Sequence, residues 1–86
     1  MVQYTLNIRY PKTKTICKNG ILSLDHDEAY FFEKDKMIAK LLRAKVDKIS
    51  TTGIFISGFE EAGFQKNGLP KYEYKEWYCS FLEGEK

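Results

Sequence analysis

The N-terminal segment alternates apolar with polar residues, which is typical of a half-buried β-strand. Its sequence, VQYTLNIRY, sends five apolar side chains to one face: Val2, Tyr4, Leu6, Ile8 and Tyr10. After Pro11, the segment KTKTICK predicts a second strand and ILSL predicts a third. We expect Asn19-Gly20 to form a tight hairpin between these two strands, because this dipeptide tolerates the positive φ angles of such a turn.

The middle of the chain admits two predictions. Asp25-His26-Asp27-Glu28 has the composition of a capping box, which would begin one long helix that runs to Lys45. That helix would place Lys34 in the centre of its apolar stripe, where an ammonium group is costly to bury. We therefore favour a short strand, AYFFE, followed by a helix of sequence KMIAKLLRAK that is capped by Asp35.

The C-terminal part predicts two further strands around a loop. VDKISTTGIFISGF is rich in β-branched residues, and its Gly53 indicates a bulge or a close backbone approach. EEAGFQKNGLP is expected to be an exposed, mobile loop. In the last strand, KYEYKEWYCSFLE, a period of two places Trp77, Cys79 and Phe81 on the face that we assign to the core.

These elements predict one α+β domain over residues 1–86. We expect a curved antiparallel β-sheet of five to six strands with one α-helix packed on one face. The composition, 43% hydrophobic and 30% charged, is that of a folding chain rather than a disordered one. No apolar run approaches the roughly 20 residues of a membrane-spanning helix, so we expect a cytoplasmic protein without a membrane partner.

The residues that usually carry catalysis or bind metals are few. The chain has one histidine, His26, and two cysteines, Cys17 and Cys79, that are distant in sequence and are expected to be buried free thiols. GIFISGFE has the glycine spacing of a phosphate-binding loop but lacks its lysine and hydroxyl residue. We therefore predict no enzyme activity, no cofactor and no metal site.

The net charge is +2, but the charges fall into blocks. Residues 1–24 carry +4, Asp25–Glu33 carry −4, Lys34–Lys48 carry +4 and the remainder carries −2. On the predicted helix, three basic residues lie opposite the apolar stripe, and three lysines of the first hairpin extend the patch. This predicts, as an alternative function, nucleic-acid binding through Lys36, Lys40, Arg43, Lys12, Lys14 and Lys18.

The tyrosines at the start of the last strand suggest a contact with another protein. Tyr72 and Tyr74 combine rigid aromatic area with a polar tip and adjoin the glycine-rich loop that holds Phe64 and Lys66. We therefore predict that these four residues bind a partner.

The leading functional hypothesis is a non-catalytic protein-binding module, an inhibitor or adaptor that occupies a site on its partner. The Lys-, Glu- and Tyr-rich composition of this short chain resembles that of accessory proteins carried by bacteriophages and mobile elements, many of which occupy host proteins. A self-associating structural protein, which could form a homodimer, is a further alternative.

Overall fold

Residues 2–81 form a closed barrel of six antiparallel strands in the computed structural model, which describes this part of the chain. The strands are β1 (Tyr4–Tyr10), β2 (Lys14–Asp25), β3 (Glu28–Glu33), β4 (Lys36–Ile49), β5 (Gly53–Phe64) and β6 (Pro70–Phe81). Each strand pairs with the next, and β6 pairs with β1, so the order around the barrel is the order along the chain. The strands predicted at the N-terminus and at AYFFE are confirmed, and the C-terminal strand is confirmed as far as Phe81, since Leu82 and Glu83 lie outside the described residues. The segment VDKISTTGIFISGF is not one strand, because residues 50–52 separate β4 from β5.

The α+β prediction is wrong, because the described residues contain no helix. The segment KMIAKLLRAK belongs to β4, which pairs with β3 through its first part and with β5 through its second. Asp35 does not cap a helix; together with Lys34 it forms the two-residue turn between β3 and β4. Nothing in the described part has the helical length and apolar character that crossing a bilayer requires.

Two irregularities in β4 explain why its sequence resembles an amphipathic helix. Ile38 is an extra residue opposite β3, and Arg43 lies in a register shift opposite β5 with a left-handed φ of 51°. Each irregularity interrupts the strand alternation, so that the neighbouring residues Ile38 and Ala39 are both half-buried. The apolar residues consequently recur at intervals of three and four, which is the helical period.

Strand β2 runs through the position where the sequence predicts a hairpin. Gly20 is buried within this strand, and a β-carbon there would lie 2.4 Å from Cε1 of Phe31. The chain reverses instead at His26 and Asp27, where His26 takes a φ of 55°. The predicted hairpin at Asn19-Gly20 is therefore wrong, and this glycine serves close packing in the barrel.

The barrel interior is filled by side chains, with Trp77, Phe31, Leu6, Leu41 and Ile56 as its largest buried members. The assignment of Trp77 and Cys79 to the core is confirmed, whereas Phe81, at the end of the described chain, is 37% exposed.

The two free thiols are both buried, as predicted. Cys17 of β2 pairs with Leu6 of β1, and Cys79 of β6 pairs with the same Leu6 from the other side. Strand β1 therefore lies between the two cysteines. Neighbouring strands are about 4.8 Å apart, so the two Cα atoms are roughly 10 Å apart, beyond the reach of a disulfide.

The β5–β6 hairpin extends beyond the barrel as an arm. Pairing between β4 and β5 ends at Phe59, and pairing between β1 and β6 ends at Glu76, but β5 and β6 stay paired out to Phe64 and Pro70. This extension accounts for the elongated dimensions of 49 × 26 × 25 Å. The prediction of a long mobile loop here is wrong, since strand pairing covers most of EEAGFQKNGLP and leaves residues 65–69 as the turn.

Candidate functional site

Aromatic side chains form a stripe along the outer surface of the β5–β6 hairpin. Paired residues of an antiparallel hairpin share one face, and the register pairs Phe55 with Tyr78, Phe59 with Tyr74, and Phe64 with Pro70. Strand β1 adds Tyr10 to the same surface. We define the aromatic stripe as these seven residues: Tyr10, Phe55, Phe59, Phe64, Tyr72, Tyr74 and Tyr78.

The end of the stripe that lies on the barrel is held by contacts around Phe55. Its ring stacks on that of Tyr78, with 4.5 Å between centroids, and the Arg9 guanidinium carbon lies 4.8 Å from the Phe55 centroid. The Tyr78 hydroxyl donates a hydrogen bond of 2.6 Å to Oγ1 of Thr52. These rings are therefore fixed in place by cation–π, stacking and hydrogen-bonding contacts.

The middle of the stripe is centred on Tyr74. Its ring centroid lies 5.5 Å from that of Tyr10 and 5.8 Å from that of Phe59, the latter in an edge-on arrangement. The Tyr74 hydroxyl donates a hydrogen bond of 2.8 Å to Oε2 of Glu76. This bond to a carboxylate is the main cause that raises the pKa of Tyr74 above its ordinary value, because it stabilises the protonated hydroxyl.

Although Tyr74 contacts two rings and Phe55 stacks on Tyr78, the stripe remains open to solvent. Exposure rises towards the tip of the arm, from 37% for Phe59 and 41% for Tyr74 to 49% for Tyr72 and 76% for Phe64. Single exposed hydrophobic residues are ordinary in proteins, whereas here five exposed aromatic residues share one surface.

The arm brings together the four residues that the sequence predicts to bind a partner. Tyr72, Tyr74 and Phe64 belong to the aromatic stripe, and Lys66 lies in the turn at the tip. That they bind a partner stays a prediction.

Sequence reasoning missed the remaining four members of the stripe, Tyr10, Phe55, Phe59 and Tyr78. Tyr10 was expected on the same side as Leu6, but a register shift between Ile8 and Tyr10 turns its side chain outwards. The even spacing of Phe55 and Phe59 was a visible signal, but its meaning depends on the pairing of β5 with β6.

The six predicted nucleic-acid-binding residues lie on three elements rather than on one helix. Lys12 is in the β1–β2 turn, Lys14 and Lys18 are in β2, and the other three are in β4.

The helical spacing that placed Lys36, Lys40 and Arg43 on one face does not apply to a strand. The Lys40 ammonium lies 5.5 Å from the Tyr30 ring centroid, whereas Arg43 lines a groove with Phe59. The predicted basic face of a helix is therefore absent, while nucleic-acid binding by these residues stays a prediction.

The side of the arm opposite the aromatic stripe carries a charged cluster. Lys75 Nζ lies 3.9 Å from Oε1 of Glu60 and 3.7 Å from Oε1 of Glu73, and only 17% of its side chain is exposed. The two surfaces of the arm thus differ in chemistry, one aromatic and the other ionic.

The acidic segment around His26 is an exposed turn. His26 Nε2 lies 3.8 Å from Oδ1 of Asp25, and both side chains are largely exposed. Across residues 2–81, no cluster of three His, Cys, Asp or Glu side chains is arranged to hold a metal ion.

Comparison with known proteins adds no relative to these observations. No protein-family model matches the sequence, and searches among curated proteins and solved structures give no significant match.

Proposed function

We propose that this protein is a non-catalytic protein-binding module that contacts its partner through the aromatic stripe. The observation that carries the proposal is the contiguous exposed aromatic surface on a paired, projecting hairpin. Tyrosine and phenylalanine are enriched in the central parts of protein interfaces, where they contribute large contact area with few rotatable bonds. Such a module acts as an inhibitor or adaptor, of the kind that bacteriophages and mobile elements carry, by occupying a surface of its partner.

The exposed area of the stripe matches what an interface requires. Five of its residues (Tyr10, Phe59, Phe64, Tyr72 and Tyr74) are between 37% and 76% exposed. At about 200 Å² for an aromatic side chain, they present about 500 Å² of surface. A standard interface buries about 800 Å² on each partner, of which about 450 Å² is apolar. The stripe alone therefore supplies the apolar part of one standard interface.

The charges beside the stripe favour a protein over a nucleic acid. Glu76 accepts the Tyr74 hydrogen bond, and Glu61 lies opposite Tyr72 in the hairpin. Stacking surfaces for single-stranded nucleic acids are accompanied by basic grooves that follow the phosphates. These carboxylates alternate with Arg9 and Arg43 beside the stripe, so the described part of this surface has no continuous basic groove, whereas a protein partner can pair charges of both signs.

The test is affinity capture from a lysate of the source cells, repeated after nuclease treatment. The stripe variant is Phe64→Ser/Tyr74→Ser, with exposures of 76% and 41% at the two positions. The matched control is Ile49→Ser/Leu24→Ser, which removes apolar residues of comparable exposure, 71% and 50%, outside the stripe. Melting temperatures of all proteins show whether each variant is folded.

We expect one protein to be captured by the wild type and the control, with or without nuclease, and to be lost from the stripe variant. Loss of capture on nuclease treatment would support the nucleic-acid alternative instead. A stable wild-type dimer in light scattering that the stripe variant converts to a monomer would support self-association. Equal capture by the stripe variant and the control would contradict the proposal.

A further inference from the structure

Strands β4 and β5 separate at the base of the arm. Pairing between them ends at Leu42 and Phe59, the pair that follows the register shift at Arg43 and Ala44, where Arg43 has a left-handed φ of 51° and the Ala44 N–H donates a hydrogen bond of 2.6 Å to the Asp27 carbonyl oxygen. Before this point β4 pairs with β3 alone, and beyond it β5 pairs with β6 alone. In the described part of the chain, each strand therefore presents a backbone edge to the space between them.

This space is continuous with two neighbouring concavities. The gap between β4 and β5 has a volume of about 420 Å³ and is lined by Ile38, Ala39, Leu42 and Glu60. A concavity of about 600 Å³ shares Ile38, Ala39 and Glu60 with it and reaches Lys12 in the β1–β2 turn. A third, of about 270 Å³, shares Leu42 and ends at the aromatic stripe. We call the whole feature, from Lys12 to Leu42, the β4–β5 cleft.

The chemistry of the β4–β5 cleft suits an extended peptide. Its walls include the apolar side chains of Ile8, Ile16 and Ile38, which would pack against alternate side chains of a strand. The edges of β4 and β5 offer unsatisfied N–H and C=O groups, which a peptide backbone satisfies and a lipid chain does not. Lys12 and Lys14 lie at the end near the β1–β2 turn, so this end favours carboxylates.

We propose that the β4–β5 cleft binds an extended segment of the partner protein by strand addition to the edge of β4. The segment carries apolar side chains at alternate positions and acidic residues at the end that lies beside Lys12 and Lys14. This inference rests on the proposed function, since it specifies how that partner is held next to the aromatic stripe. Lys36 to Leu41 span six residues, so a bound segment of about six residues, roughly 20 Å long, fits this edge.

The test begins with selection of peptides from a random ten-residue phage library on the immobilised wild-type protein. The selected peptide is synthesised with a fluorophore in three forms: unmodified, with alternate backbone amides N-methylated, and with its acidic residues replaced by amides. Binding is measured by anisotropy against the wild type, Lys12→Glu/Lys14→Glu and the stripe variant Phe64→Ser/Tyr74→Ser. The three proteins differ only at exposed positions, and N-methylation perturbs the ligand without any risk to the protein fold.

We expect selected peptides with alternating apolar residues and acids at one end. N-methylation should weaken binding at least tenfold, because it removes the backbone donors that a strand needs, and Lys12→Glu/Lys14→Glu should weaken it about fivefold. The stripe variant should bind the peptide with unchanged affinity, since Phe64 and Tyr74 lie outside the cleft.

Other results would overturn the inference. Peptide binding that is lost in the stripe variant but insensitive to N-methylation would place the peptide on the stripe and leave the proposed function intact. Failure to enrich any peptide, or enrichment of apolar sequences without a backbone requirement, would show that the cleft does not add a strand. Self-association of the wild type that Lys12→Glu/Lys14→Glu abolishes would assign the cleft to a second copy of the chain.

Discussion

Replacing Trp77 by alanine tests whether β6 combines a core end with a binding end. Trp77 is fully buried and is the largest side chain of the barrel interior. It lies opposite Ile8 of β1 and Ile56 of β5, so its ring occupies the region between three strands. Its indole Nε1 has no hydrogen-bond partner among the described residues. The role of this side chain is therefore packing.

The loss of unfolding free energy expected for Trp77→Ala follows from the area that the indole ring buries. About 200 Å² of aromatic surface at 25 cal/mol per Å² contributes about 5 kcal/mol. Burial of the unpaired indole N–H offsets about 1–3 kcal/mol of this. The cavity left by alanine adds to the loss, and the range known for such substitutions is about 3–5 kcal/mol. Since a chain of 86 residues has a total stability of about 4–13 kcal/mol, Trp77→Ala should remove at least about a quarter of the stability of the protein.

Urea denaturation followed by far-ultraviolet circular dichroism measures this change in the free energy of unfolding. Tyr74→Ala is the control, because it removes an aromatic residue three positions away that is 41% exposed, and it should cost under about 1 kcal/mol. Trp77→Phe should fall between the two, since it keeps an aromatic ring and removes the unpaired N–H. Equal losses for Trp77→Ala and Tyr74→Ala would refute the division of β6 into a core end and a surface end.

Three further predictions concern the thiols, a glycine and the basic residues. Both thiols should react slowly with a thiol reagent until the protein is denatured. Because burial raises the pKa of Cys79 from 9.0 to about 12, ionisation of this thiol in the unfolded state should lower stability by about 1.4 kcal/mol per pH unit between these values. A Cys79→Ala variant whose stability falls as steeply with pH as that of the wild type would contradict the assignment. Gly53→Ala should cost about 1–3 kcal/mol in a urea titration, because its β-carbon would lie 2.4 Å from the Cys79 carbonyl oxygen; unchanged stability would refute the close approach. If the partner is a protein, Lys36→Gln/Lys40→Gln/Arg43→Gln should leave the salt dependence of partner binding unchanged, whereas weaker binding with a salt dependence flatter by about one unit per lost contact would support the nucleic-acid alternative.

The first and last strands of the chain could be predicted from the sequence, because apolar and polar residues alternate along them with little interruption. Strand β1 follows a period of two from Tyr4 to Ile8, and β6 does so along its whole length, so Trp77 and Cys79 could be assigned to the core. The close approach at Gly53 was also predicted and is confirmed. In these places the local pattern and the final packing agree.

Strand β4 could not be predicted because its pattern depends on tertiary pairing. The irregularities at Ile38 and Arg43 add residues to the strand, and they exist because β4 must pair with β3 at one end and with β5 at the other. Asn19-Gly20 was misleading for a similar reason, since Gly20 is required by the Phe31 ring beside it rather than by a turn. Single-sequence periodicity contains no information on either neighbour.

The aromatic stripe was predictable only in part. Tyr72 and Tyr74 stood out because they lie two positions apart in one strand, whereas Phe59 joins them through the β5–β6 register. Tyr10 joins them through a shift in β1 that no local signal announces. A surface assembled from three strands requires the strand pairing before its extent can be known.

The most direct test of the central claim is the dissociation constant of the captured partner for Tyr72→Ala/Tyr74→Ala, measured by isothermal titration calorimetry. Two exposed aromatic anchors at an interface contribute about 2 kcal/mol or more, so the dissociation constant should rise at least about 30-fold. The melting temperature should stay within about 8 °C of the wild type, because each of the two exposed substitutions changes stability by about 0.5 kcal/mol. A folded double variant that binds the partner with wild-type affinity would show that the aromatic stripe is not the contact surface.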